Sequence, residues 1–320
     1  MPDRSAEAPI RPGATGVHRW AVAAVLSAFG LLLAGGLVTS RDAGLAVPDW
    51  PLSYGTLNPP RWYTIENVRT EHGHRLAAAC VTAVTFGLAC TILRRERRPL
   101  VRRLGVAAAA MILVQAVLGG LRVLHLSIDL AMVHGVVAQA FFCLLVVIAT
   151  VTADTWPTPP QSGRSGRAFG VWSFTAVALI ASQLVVGIFL RHLGAAVRPL
   201  IASPLFYLHL AVAGLVVVVA LRLRSTCARE PASDYLQNRA SLLLALIAIQ
   251  IGLGVGSYAV TEPFGPGAEW ALLAAWLPTL HVACGAAVLA TAVVLATHAA
   301  AGRNAAVTAT APATAVEVLR

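Results

Sequence analysis

Long apolar runs recur eight times along the 320-residue chain, at residues 20–40, 73–93, 104–124, 130–152, 169–190, 203–223, 240–261 and 271–299. About 20 residues at 1.5 Å each cross about 30 Å of hydrocarbon. A water-soluble domain carries about 45–50% apolar and about 25% charged residues, whereas this chain is 58% hydrophobic and 12% charged. It has too little polar surface for a water-facing globule, which excludes a soluble protein. Only helices and closed barrels satisfy their backbone within lipid, and these unbroken runs lack barrel alternation. The sequence predicts an all-α integral membrane protein with eight transmembrane helices. The first run is placed like a signal peptide, but it is long and lacks a small-x-small cleavage site before the polar loop, so it is read as a helix.

A formal charge of +10 raises the question of nucleic acid. All 24 basic residues are arginines, mostly between the apolar runs, which suits membrane orientation and not nucleic-acid binding. Segments 1–19, 94–103, 153–168, 222–239 and 300–320 carry seventeen arginines, and the alternate side carries seven. The positive-inside rule then puts both termini in the cytoplasm of a plasma-membrane protein. The run RRERRPLVRR between spans two and three is read as a topology anchor in preference to a lipid-binding site. The five cysteines (Cys80, Cys90, Cys143, Cys227 and Cys284) show no C-x-x-C spacing and read as small apolar fillers, with Cys227 in an arginine-rich loop.

The Pro-rich stretch DTWPTPPQSGRSGR divides the chain into two four-helix halves that resemble each other. The expected organisation is a cytoplasmic segment 1–19, an N-terminal half 20–152, a linker 153–168, a C-terminal half 169–299 and a disordered tail 300–320. The third, fifth and seventh spans each carry Gln-x-x-x-Gly: Gln115 with Gly119, Gln183 with Gly187, Gln250 with Gly254. In the first span Gly35 takes the matching place and Leu31 stands where Gln would be. Small residues there let helices, or a flat cofactor, approach closely.

Each even span bears a histidine near its start: His74, His134, His209 and His281. The even spans all run in one direction, so the four imidazoles lie at similar depth, toward the outer leaflet, with His281 somewhat deeper within its run and Pro278 near the helix start. Intramembrane ionisable groups are costly and mark function, and neutral imidazole is the commonest metal ligand. Two imidazoles facing across a four-helix bundle can ligate a heme iron axially, so two halves offer two sites. Zinc would want three or four converging ligands. His18 and His298 fall at cytoplasmic helix ends; His125 and His192 follow Arg122 and Arg191 at outer helix ends, where they could meet propionates or water, and are read as solvated caps in preference to ligands.

The cluster Glu71-His72-Gly73-His74-Arg75 opens the second span. On a helix Glu71, His74 and Arg75 share a face and His72 points away. Glu71 could bond the imidazole, cap the helix, or exchange protons with a substrate at the iron. Arg75 could pair with it or with a heme propionate.

The run GGLVTSRDAGLAVPDWPLSYG, then EHGHR, then one histidine in each later even span, resembles the heme A synthase family over roughly residues 20–300. The resemblance implies two pseudo-symmetric four-helix bundles and oxidation of the C8 methyl of heme O to a formyl group, giving heme A for cytochrome oxidase. It implies that His74 and His134 flank the substrate heme, that His209 and His281 hold heme b, and that Glu71 is the catalytic acid. The partners implied are lipid, a heme O synthase, cytochrome oxidase assembly factors and an electron donor or acceptor; a homo-oligomer is left open. Many members carry a cysteine pair around the positions of Val47 and Ser53, and this chain has none in an outer loop. The alternatives are a di-heme b-type electron-transfer protein and a heme carrier without catalysis.

Overall fold

The computed structural model describes residues 14–157, 163–193, 199–229, 233–262 and 267–310. Eight helices carry the eight apolar runs: α1 (Ala14–Ser40), α2 (Glu66–Arg95), α3 (Pro99–Leu124), α4 (Ile128–Thr152), α5 (Gly163–Leu193), α6 (Pro204–Arg229), α7 (Asp234–Thr261) and α8 (Ala271–Thr310). Their membrane-crossing segments are 25 to 32 residues long. Hydroxyls inside these segments bond back to their own helix, as in Thr85 to Val81 O and Thr152 to Ile148 O, which satisfies them without water. Leu26, Val106, Leu113, Leu215, Val255 and Leu272 are exposed on the outside, as a lipid-facing surface requires.

Within the first half α1 packs on α2 and α4, and α3 on α2 and α4; within the second, α5 packs on α6 and α8, and α7 on α6 and α8. Each set of four closes on itself, giving two four-helix bundles. They meet where α8 lies against α1 and α4, and α4 against α5. The apolar window of α8 is accordingly 67% buried, against 17% for each of α5, α6 and α7. Small side chains permit this closeness: Ala21, Ala24 and Ala28 form a buried stripe on α1.

Several helices outrun the apolar runs that announce them. α2 begins at Glu66, so Glu71 lies inside the helix and cannot be its cap; the cap position is Ile65. α1 takes in the end of segment 1–19, and α5 the end of the linker. α8 continues to Thr310, so the tail expected to be disordered from residue 300 is helical to that point; residues 1–13, 158–162 and 311–320 lie outside the described residues. Cys227, expected in a loop, is buried near the end of α6. All five cysteines are free.

In the RRERRPLVRR run, Arg98 donates to Val151 O at 2.8 Å and Arg102 to Leu93 O at 2.9 Å. These are carbonyls at or near helix C-termini, where cations are favoured. Arg98 also donates to Glu96 at 2.7 Å, and this bond is the main reason the Glu96 carboxyl is held below its ordinary range.

Candidate functional site

The C-terminal ends of α1, α3, α5 and α7 lie at one end of the molecule, the loop end, where residues 41–65 fold across. Near this end each even-helix histidine lies against one glycine of the helix before it. A Cβ built on Gly35 would stand 3.2 Å from Cε1 of His74, and on Gly119 3.3 Å from that of His134. On Gly187 it would stand 3.2 Å from Cε1 of His209, and on Gly254 3.0 Å from that of His281. The repeat detected in the sequence is therefore a set of ring seats in which only a hydrogen fits comfortably. The glutamine one turn back steadies the backbone beside the ring: Gln115 Nε2–H donates to His134 O at 3.2 Å and Gln183 Nε2–H to His209 O at 2.9 Å.

In the last repeat His281 Nδ1–H donates to Gln250 O at 3.1 Å, and Nε2 accepts from Gln250 Nε2–H at 3.3 Å. A metal-ligating imidazole uses this tautomer, with Nδ1 tied to a carbonyl and Nε2 carrying the lone pair. The Nδ1 atoms of His74, His134 and His209 are buried without a partner among the described residues. The buried Nδ1 of His298, a ring packed between aromatics, is likewise without a partner among the described residues.

The rings of His209 and His281 have centroids 6.3 Å apart and planes inclined at 55°. A metal bonded to one nitrogen of each ring at about 2.0–2.1 Å would set the centroids roughly 6 Å apart, so this pair fits axial ligation. His74 and His134 line a common cavity of about 200 Å³. Among the described residues no three His, Cys, Asp or Glu side chains converge; these histidines come in twos.

Glu71 and Arg75 share the face expected of them, as an ion pair at 2.7 Å. They do not line the cavity; they hold the first loop. Glu71 Oε2 accepts Val47 N–H at 2.8 Å. The Arg75 guanidinium donates to Val47 O at 3.0 Å, Asp49 O at 2.7 Å and Leu52 O at 2.8 Å, and reaches Ser53 Oγ at 3.4 Å. His72 points away from that pair but not into solvent: it is buried, its Nδ1 is 2.9 Å from Ser53 Oγ, and Trp62 packs edge-on 5.0 Å away. Asp49 accepts the Tyr54 and Gly55 N–H groups, each at 2.7 Å. The Gly55 bond is the largest of the influences that hold its carboxyl below the ordinary value. These bonds close a tight turn in which Tyr54 and Gly55 both have positive φ. Trp50 reaches down onto Gly120 of α3, where any Cβ would collide with the indole.

Sequence reasoning missed the charges at the loop end of the cavity. Arg122, Arg191 and His192 line it beside His74 and His134. They sit just past the Gln-x-x-x-Gly units of α3 and α5, and that placement is the signal the sequence offers; by charge alone the arginines read as loop residues. His125 is exposed, as a solvated cap should be. His18 Nδ1–H donates to Ala149 O at 3.1 Å. His298 is buried between Trp156 and Tyr235, with centroids 4.9 and 5.3 Å away.

Residues 11–148 match the family described as cytochrome oxidase assembly protein. A heme A synthase of Symbiobacterium thermophilum is 30% identical over 247 residues, covering 70% of this chain and 79% of that protein. Heme A synthases of a Chelativorans species and a Caulobacter species are each 31% identical, over 153 and 147 residues, covering 45% and 43% of this chain and 41% of each relative. The first of these alignments takes in most of both proteins, and the chain belongs to the heme A synthase family.

Proposed function

We propose that this protein oxidises the C8 methyl of heme O to a formyl group, yielding heme A for cytochrome oxidase. The first half binds heme O between His74 and His134, and the second half holds heme b between His209 and His281. The observation that carries this reading is the repeated seat: four histidines, two per half, each against a register-matched glycine. Heme b, when bound, supplies a one-electron relay for the oxidation. Methyl to alcohol takes up the oxygen of one water and releases two electrons and two protons, alcohol to formyl releases two more of each, and the four electrons pass to an external electron acceptor. Glu71 is the acid assigned to this proton traffic. Its carboxylate lies one helical turn from His74 toward the loop end, and Arg75 and the Val47 N–H fix its position. Both termini are assigned to the cytoplasmic side of the plasma membrane, with the loop end outward, on the arginine distribution.

The test is acidic-solvent extraction and mass identification of the hemes carried by the purified protein. Wild type should yield heme b together with heme O or its C8-oxidised forms. Glu71→Ala should keep heme b while conversion of added heme O falls about 10²–10⁴-fold, the worth of a lost acid–base group. His209→Ala and His281→Ala should deplete heme b. Unreduced conversion by Glu71→Ala would remove that residue from the chemistry, and heme b as the sole heme, with no turnover of heme O, would turn the reading toward an electron-transfer protein.

A further inference from the structure

The cavity that contains His74 and His134 is polarised along its length. Its deep part is lined by Ala28, Leu32, Ile112, Phe141 and Phe142, while Arg122, Arg191 and His192 stand at the loop end. No acidic side chain is among its lining residues. Arg191 is held in place from below: it donates to Gly36 O at 2.9 Å and Ser40 Oγ at 2.6 Å, and Gly36 adjoins the glycine that seats His74. Arg122 lies one turn beyond Gly119, the seat of His134, and its guanidinium packs beneath Gly44 of the first loop, where a Cβ would collide with it. It is more than half buried and makes no hydrogen bond or ion pair among the described residues; Glu71 and Asp42 are its charged neighbours, neither in ion-pair contact. A desolvated guanidinium facing a cavity without a counter-charge marks a place for an anion.

We infer that Arg122 and Arg191 bind the two propionate carboxylates of the substrate porphyrin and so fix its rotation about the axis between His74 and His134. The inference rests on the heme O reading and adds to it what narrows the oxidised carbon to the two methyls, C5 and C8, that share a pyrrole with a propionate. In heme O the propionates occupy one edge of the macrocycle and the isoprenoid tail the opposite edge. The apolar depth of the cavity takes the tail, and the arginine end takes the carboxylates. The C8 methyl sits on a pyrrole that itself carries a propionate, so anchoring that edge brings the methyl to the loop end, where Glu71 lies. A porphyrin turned over in its own plane would present other methyls there. Arg122 and Arg191 are thus positioning residues for the oxidised carbon.

The holoprotein, with heme b in place, is titrated with ferric protoporphyrin IX and with its dimethyl ester, following the Soret difference spectrum. The free acid should bind at least about tenfold more tightly than the ester, the worth of one charge-assisted hydrogen bond. Arg122→Gln should reduce that preference by weakening the acid and leaving the ester unchanged, with the Arg191 contact remaining, while Arg122→Lys keeps more of it. Comparing variants in one detergent cancels the greater partitioning of the ester. Equal binding of acid and ester by wild type, or an equal loss of both in Arg122→Gln, would overturn the inference while leaving the porphyrin in this cavity. Titrations unaltered by His74→Ala and His134→Ala would overturn instead the placement of substrate in the first half, and the inference with it.

Discussion

At Gly254 a methyl carbon would stand 3.0 Å from Cε1 of His281, and at Gly252, two residues earlier on α7, it would meet nothing within 4 Å. Intrinsic helix propensity favours Ala over Gly by about 1 kcal/mol at either position. At Gly252 that gain stands alone, so Gly252→Ala should be neutral or stabilising. At Gly254 the ring must move, and overpacking of this kind costs about 1–3 kcal/mol. Gly254→Ala should therefore lower the heme b content per protein, read as the pyridine hemochrome, while Gly252→Ala leaves it unchanged; equal heme content in the two would show that the seat does not position the ligand. The register of these glycines was legible in the sequence, because Gln-x-x-x-Gly repeats three times. Their purpose was not, since the partner of each glycine lies on the next helix. The same limit hid Arg122 and Arg191: an arginine at the end of an apolar run looks alike whether it meets water or turns into a cavity.

Hydropathy marks the part of a helix that meets lipid and is blind to polar turns outside it. That is why the second span, read from residue 73, begins at Glu66 in the structure. The extra turns make the Glu71–Arg75 unit a clamp on the first loop. A single guanidinium gathers Val47 O and Ser53 Oγ, so positions 47 and 53 are brought together here by hydrogen bonds. Lysine offers no planar fork to span four acceptors, so Arg75→Lys, like Arg75→Leu, should speed amide exchange across residues 47–55 without unfolding the helices. Joining Val47→Cys and Ser53→Cys as a disulfide should restore protection in the Arg75→Leu background. Unchanged exchange in Arg75→Leu would show that Asp49, His72 and the Trp50 indole hold the loop without the clamp.

The two bundles were legible as halves of one sequence, but their union was not, because it depends on contacts between α8 and the first half. Val282, next to His281, lines the same cavity as His74, and Arg191 of the second half donates to Gly36 and Ser40 of the first. Ser40 in turn meets Thr279 of α8 at 2.9 Å. At this seam Gly36 lies against α8: a Cβ there would stand 3.2 Å from Thr279 Cγ2 and 3.6 Å from its Cα. A β-branched side chain there cannot be accommodated by rotating one flexible group, because the α8 backbone lies behind the methyl. Gly36→Val should wedge α1 from α8, draw Gly36 O and Ser40 away from Arg191, and cost about 1–3 kcal/mol by overpacking. Gly30→Val on the same helix, with nothing within 4 Å of its Cβ, is the matched control. If the halves share one folded unit, Gly36→Val lowers the thermal midpoint in detergent and reduces porphyrin binding in the first half and heme b retention in the second together. Loss confined to the first half, with heme b and the thermal midpoint of the Gly30→Val control retained, would mean that the second bundle holds its heme independently of the seam.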